Sequence, residues 1–317
     1  IDVDYADYPD GKVSIEVGEL EDRSYTFDIV NYDNSGNKSL AAEITVSPYG
    51  DGWMVSRSER TVSSARMEGR DAKIVMSKAT DEMVATRFRY KNLQDEWVES
   101  ETVLKPGENE VTFKDAMKGK RFEYSSSFCP KAGKDTVWRT WTKSVDGISY
   151  QIDGSRWNVT ATNGQYFGIN TPEKIFDGRY DRPAYSWHSS KSDNNKQAFP
   201  KILSVDTQTS AGEEFAFTGF TFCENNTAAS LRYIKDYTIY VGSSYYNPDD
   251  ADYLKNFGIP FIGGTLSTSA DQYSVNVTQG ATGRYMAIVF KNSWNADDGF
   301  IDLWEFIPYG YIPSLAD

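Results

Sequence analysis

Lys174-Ile-Phe-Asp-Gly-Arg-Tyr-Asp-Arg-Pro-Ala-Tyr-Ser-Trp-His-Ser189 decides the fold, read together with Ile301-Asp-Leu-Trp-Glu-Phe306 near the end of the chain. A short apolar run meets an Asp-Gly turn and then a Trp-His pair, which is the punctuation of short strands, not of helices. Between the two stretches lie Phe217-Thr-Gly-Phe-Thr-Phe222, Ile234-Lys-Asp-Tyr-Thr-Ile-Tyr-Val241 and Gly283-Arg-Tyr-Met-Ala-Ile-Val289. All are rich in aromatic and β-branched residues, which suit a pleated, half-buried surface.

The rest of the composition agrees. Aromatics make up 15% of 317 residues, with 21 Tyr, 8 Trp and 24 Gly, and no long amphipathic helical stretch occurs. The reading is an all-β chain of two or three domains, since domains run to about 100–150 residues. The formal charge of −13 is uneven: residues 1–49 hold 11 acids and 3 bases, 50–149 hold 16 and 18, and 150–317 hold 19 and 12. Affinity for nucleic acid comes from neutralising phosphates, so an acidic chain without a basic stripe argues against DNA, RNA or an anionic membrane as partner. Cys129 and Cys223 fall in different units and read as small buried residues. No apolar run approaches the length of a membrane span. The chain opens at Ile1 without methionine, and a targeting segment upstream is the expectation.

In their order these segments resemble the discoidin family, also called coagulation factor V/VIII type C domains, which includes the family 32 carbohydrate-binding modules. The likeness spans residues 150–317 and includes an opening phrase at Arg156-Trp-Asn-Val-Thr-Ala161. It implies a jelly-roll β-sandwich that binds glycan through loops at one end. It also implies a structural Ca²⁺ held by the carbonyls of Lys174, Arg179 and Trp304 and the carboxylates of Asp177 and Glu305, an oxygen-only set that suits a hard cation. The chain departs from the family between Asp177 and Trp187, where about three extra residues, Pro183 among them, leave one further ligand unassigned. For the sugar, the resemblance points to Trp294 as a stacking platform, with His188, Glu224, Asn225, Asn226 and Arg232 as hydroxyl partners. Galactose-binding relatives carry an Arg near the position of Glu224, so a simple galactose preference is not implied. Trp187 occupies the family's core position, and Phe300 opens the last strand.

Upstream, Val13-Ser-Ile-Glu-Val17, Ser24-Tyr-Thr-Phe-Asp-Ile-Val30 and Ala41-Ala-Glu-Ile-Thr-Val-Ser47 alternate with period two around an Asp33-Asn-Ser-Gly-Asn37 turn. Residues 1–48 resemble the second half of a fibronectin type III domain, with its upstream strands expected to be missing. Residues 49–146 read as a second such sandwich, with strands at Ala72–Met76, Ala85–Tyr90, Glu110–Phe113 and Arg121–Ser127. Residues 144–156, with two Asp-Gly turns, read as a linker. This half resembles a Bacteroidetes family of surface lipoproteins in which fibronectin-like units precede a discoidin domain. That likeness implies an outer-surface protein with a lipid anchor upstream of Ile1.

No catalytic constellation emerges. Glycoside hydrolysis needs two carboxylates facing across a cleft, but Asp249-Asp-Ala-Asp252 and Asp297-Asp298 follow turn residues and read as solvated loop charges. His188 is the single histidine, and neither nucleophile-elbow, phosphate-loop nor zinc-ligand spacing is present. The expectation is therefore a non-enzymatic surface protein whose partner is a carbohydrate, its fibronectin-like units acting as spacers. The alternatives are an adhesin recognising a host protein and the accessory part of a larger glycan-degrading system.

Overall fold

The computed structural model describes residues 1–4, 8, 12–18, 20–21, 23–48, 50–130, 135–162, 168–179, 186–189, 199–224, 234–267, 272–294 and 300–317. Strands β1 (Tyr25–Ile29) and β2 (Ala42–Val46) form an antiparallel hairpin. Asp33 closes its turn by accepting the N–H groups of Ser35 and Asn37 at Oδ1, and Gly36 supplies the positive φ of 81°. Register sets Tyr25, Phe27 and Ile29 beside Val46, Ile44 and Ala42 on one face, with Thr26, Asp28, Thr45 and Glu43 on the other. The alternation at Val13–Val17 does not produce a strand: among the described residues this segment joins no ladder. Alternating side chains make a strand only where a neighbouring backbone takes up the hydrogen bonds.

The middle unit contains β3 (Val62–Glu68), β4 (Asp71–Met76), β5 (Met83–Lys91), β6 (Trp97–Glu99), β7 (Glu110–Phe113), β8 (Glu123–Phe128), β9 (Val137–Trp138) and β10 (Thr142–Lys143). One sheet runs β3-β4-β7; the other runs β10-β8-β5-β6, with β9 also on β8. They close on a core that includes Ile74, Phe88, Tyr90, Phe113 and Phe122, in which the Tyr90 and Phe113 rings stack at 4.4 Å. This is a fibronectin type III-like sandwich, and every strand expected there is present.

The C-terminal unit contains β11 (Tyr150–Gln151), β12 (Asn158–Ala161), β13 (Trp187–His188), β14 (Lys201–Asp206), β15 (Phe215–Glu224), β16 (Asp236–Gly242), β17 (Ile262–Thr265), β18 (Gln272–Gly283), β19 (Tyr285–Phe290) and β20 (Asp302–Tyr311). The order β11-β20-β15-β18, with β13 also on β20, faces the order β12-β14-β19-β16-β17. Between them lie Trp157, Trp187, Phe217, Phe220, Phe222, Ile239, Ile288, Phe290, Leu303 and Phe306, all buried. Each such side chain contributes roughly 1.5–3 kcal/mol by leaving water. The result is the expected jelly-roll sandwich. Register pairs Lys201 and Tyr237 with Phe290, Asp236 with Thr265, Cys223 with Gln272, and Glu224 with Leu303, so these strand termini meet at one end.

The segment read as a linker is built into both sandwiches. Ile148 lies in the middle core, Ser149 exchanges hydrogen bonds with Ala65 and Met67 of β3, and Tyr150 pairs with Gly310 of β20. Its Asp-Gly pairs do turn, but the backbone hydrogen bonds that a free linker would give to water are taken by flanking strands. The last residues reinforce the joint: Tyr311 donates to Asp146 at 2.7 Å, and Lys143 and Arg121 meet Asp317 at 3.0 and 3.2 Å.

Candidate functional site

Thr171-Pro172 starts a short 3₁₀ helix, Pro172–Phe176, since proline tolerates the first helical position. The helix ends at Asp177, whose N–H reaches the Lys174 carbonyl at 3.4 Å. Gly178 then takes a φ of 73°, a left-handed conformation that favours glycine. The Asp177 carboxylate turns back to accept the Arg179 N–H at 3.0 Å, and the Lys174 ammonium stands 3.6 Å from its other oxygen.

Opposite this turn is a break in β20. Its register against β15 shifts between Cys223, which faces Glu305, and Glu224, which faces Leu303. Trp304 is passed over, as in a β-bulge, where the extra residue is left out of the ladder. The shift keeps Leu303 and Phe306 in the core while Glu305 turns toward the Asp177 turn. Oε1 of Glu305 accepts the Gly178 N–H at 3.2 Å, whereas its buried Oε2 has no hydrogen-bond partner. Burial pushes the Glu305 carboxyl up to about 8; the Gly178 N–H opposes this, and the nearby Asp177 charge adds to it. Burial, with Glu305 and Glu224 nearby, also pushes the Cys223 thiol up to about 12.

Of the five expected cation ligands, the structure thus brings Asp177, Arg179 and Glu305 around one turn, with the Lys174 carbonyl engaged in that turn and Trp304 at the adjoining bulge. Among the described residues no group of three or more His, Cys, Asp or Glu converges to hold a metal ion. The donor set for a cation here is two carboxylates plus backbone carbonyls, which suits a hard ion. The orphaned Glu305 oxygen fits that demand, because a buried carboxylate without a counter-charge is costly.

The other half of the site lies at the strand termini. Trp294 is 41% exposed, its indole N–H donates to the Leu266 carbonyl at 3.0 Å, and the Lys235 ammonium lies 4.8 Å from the ring. Below it, Asn292 and Asp236 exchange two hydrogen bonds, at 2.9 and 2.7 Å, and Thr265 donates to the same Asp236. These contacts hold Asp236 below the ordinary carboxylate range, the Thr265 hydroxyl and Asn292 amide first. The indole is therefore braced on one side, while its exposed area faces solvent.

His188 and Glu224 are both enclosed. His188 packs edge-on against Phe300 at 4.8 Å, with Nδ1 3.0 Å from the Ser189 carbonyl, and Glu224 accepts the Ile234 N–H. Each lies at a strand end with its side chain enclosed and not open to solvent. Asn225, Asn226 and Arg232 fall outside the described residues. Sequence reasoning missed Lys235 and the Asp236–Asn292–Thr265 brace. The one available signal was the polar Lys235-Asp236 pair heading an otherwise apolar strand.

Residues 2–135 match the family model DUF4998, described as a domain of unknown function. No curated protein matches the sequence. Among solved structures, the family 32 carbohydrate-binding module of C. perfringens NanJ, solved with galactose, is 17% identical with a TM-score of 0.39, covering 51% of this chain and 99% of that one. A fucolectin from striped bass (Morone saxatilis) serum is 12% identical with a TM-score of 0.39, covering 80% of this chain and 79% of that one. Discoidin II from Dictyostelium discoideum is 14% identical with a TM-score of 0.34, covering 51% of this chain and 58% of that one. The jelly-roll assignment itself rests on the sheet order, the register and the core described above.

Proposed function

We propose that the C-terminal unit is a non-catalytic glycan-binding module, carried on a cell surface by an anchor upstream of Ile1, with the fibronectin-like units as spacers. The observation that carries this reading is Trp294, a partly exposed indole fixed by its hydrogen bond to Leu266 at the loop end of a jelly roll. A sugar presents an apolar C–H face that stacks on such a ring, while its hydroxyls need polar partners. With Lys235 over the ring, the saccharide takes the remaining exposed area, and Asn225, Asn226 and Arg232 supply the hydroxyl partners. Glu224 and His188, both enclosed, act as supporting residues and not as direct hydroxyl partners.

A Ca²⁺ ion belongs to the same proposal. The carboxylates of Asp177 and Glu305 and the carbonyls of Lys174, Arg179 and Trp304 would hold it, and the partnerless Glu305 Oε2 supports the fit. When bound, the ion would cross-link the Asp177 turn to β20 through Glu305. The protein's own groups do the binding.

The test is a glycan array probed with the full chain and with Trp294→Ala, each with Ca²⁺ and with chelator. Binding that Trp294→Ala abolishes supports the proposal. Silence of the wild-type chain across plant, host and microbial glycans overturns it and moves the weight to a host-protein adhesin.

A further inference from the structure

The outer face of the middle sandwich's larger sheet carries a ladder of alternating indoles and cations. Arg87, Arg89 and Lys91 occupy alternate positions of β5 and so point to one side. Directly opposite residues of an antiparallel pair share a face, which adds Ser125 and Glu123 from β8, and Glu99 and Trp97 from β6. Trp138 joins them opposite Ser127. The serines matter because their small side chains leave room for rings above the sheet. The Arg87 guanidinium lies 4.5 Å from the Trp138 ring and 4.6 Å from Trp141; Arg89 lies 4.7 Å from Trp141 and 5.4 Å from Trp97; the Lys91 ammonium lies 5.9 Å from Trp97.

The rungs are not equivalent in charge. Arg89 is paired with Glu123, and Lys91 with Asp95. Arg87 meets no carboxylate among the described residues, and its Nε is buried without a hydrogen-bond partner. With indoles on either side, a guanidinium offers binding only in its own plane, through parallel N–H donors that match a carboxylate's two oxygens. Trp97 and Trp138 remain 44% and 38% exposed beside it. The contacts that join the middle unit to the C-terminal one come from other residues, among them Arg66, Lys120, Arg121 and Lys143, so the ladder stays uncovered by that neighbour.

We infer that this ladder is a second binding site, and that its ligand is a carboxylate-bearing polysaccharide, a polyuronate. Charge complementarity selects the anion: residues 50–149 hold 18 bases against 16 acids in a chain of net −13, so this is the one stretch that does not repel a polyanion. The flanking acids select a sparsely charged one. Glu99 and Glu123 share the face, and a densely sulfated chain would meet them, whereas a uronate with one carboxylate per ring places that charge at Arg87 and its apolar ring faces on the indoles.

Isothermal titration with oligogalacturonate, run in chelator on the Trp294→Ala chain, isolates this site from the C-terminal one, so either proposal can fail alone. Expected is binding of the acid form, loss of binding by its fully methyl-esterified form, and a loss of about tenfold or more in Arg87→Gln and in Trp138→Ala. The inference is overturned if the acid form does not bind, if the ester binds equally, or if Arg87→Gln retains wild-type affinity with an intact circular dichroism spectrum. Equal affinity for poly-glutamate also overturns it, in favour of an acidic peptide. Should Arg87→Gln fail to fold, the acid-against-ester comparison still decides.

Discussion

Gly178 and Glu305 are joined across most of the C-terminal unit: the Gly178 backbone N–H donates to Glu305 Oε1 at 3.2 Å, while Oε2 of the same buried carboxylate is left without a partner. A cation at that oxygen would turn an electrostatic cost into a cross-link. Ca²⁺ in about 100-fold excess over its dissociation constant should then add about 2.7 kcal/mol of stability. In a domain of this size that raises the melting temperature by roughly 2–4 °C per kcal/mol. Asp177→Ala and Glu305→Gln should both erase the rise. They should differ without metal, where Glu305→Gln melts at or above wild type because the cost of burying an ionisable carboxyl, which raises its pKa to about 8, has gone. Differential scanning fluorimetry with Ca²⁺ and with chelator checks this; a wild-type melt indifferent to Ca²⁺ removes the cation from the account.

The Trp294 indole does two things that substitution can separate. Trp294→Phe keeps an aromatic face but drops the hydrogen bond to the Leu266 carbonyl. If a fixed ring orientation matters, Trp294→Phe should lose roughly 0.5–1.5 kcal/mol of glycan affinity, the net worth of one hydrogen bond. Trp294→Ala should lose more, since stacking also goes. Lys235→Met should stay within a few-fold of wild type, because the ammonium covers area the sugar does not use. Equal losses for the Phe and Ala variants would mean that the indole N–H, not the aromatic face, carries the binding; no loss in either would mean that the ring serves packing alone.

The architecture was legible where local chemistry and long-range pairing agree. Asp33-Asn-Ser-Gly-Asn37 closes a turn by its own side chain, and the aromatic-rich Phe217–Phe222 forms part of a strand that the sheet merely lengthens. The failures have one cause, that a strand pattern names no partner: Val13–Val17 alternates correctly and pairs with nothing described, while residues 144–156 look like a linker, although residues 148–152 are tied into both sandwiches. At the site, Asp177 and Glu305 could be named only by family likeness, since nothing in the sequence brings residues so far apart into contact. The burial of His188 and Glu224 was invisible, because polar residues at strand ends look alike whether neighbouring segments cover them or not.

The joint between the middle and C-terminal units should make them melt together. A Cβ at Gly147 would lie 2.2 Å from the Gly119 carbonyl oxygen and 2.8 Å from the Tyr311 ring, and backbone cannot give way cheaply. Arg66 reaches across the same joint, to Asn276 at 2.6 Å and over the Tyr309 ring at 3.9 Å. Arg66→Ala should cost about 1–2 kcal/mol, the worth of a charged hydrogen bond with a cation–π contact. Gly147→Ala should go further and split one calorimetric transition into two. Two transitions already present in the wild-type chain would show that the joint does not couple the units.

Lys201 opens β14 opposite Phe290, fully buried, with its ammonium 5.6 Å from the Phe199 ring. Burial pulls its pKa from 10.5 down to about 8, because the charged form loses its hydration. The unfolded chain therefore binds this proton more tightly than the folded one. Stability should rise with pH between about 8 and 10.5, while below 8 the whole penalty is present. Lys201→Met should accordingly be more stable than wild type at pH 7, by up to about 3 kcal/mol. The advantage should shrink as pH climbs through that window. Urea denaturation of both chains at pH 7, 9 and 10.5 reads the difference directly, with other titrating groups common to both. A gap that does not change with pH would mean that Lys201 is charged as easily inside the fold as outside it.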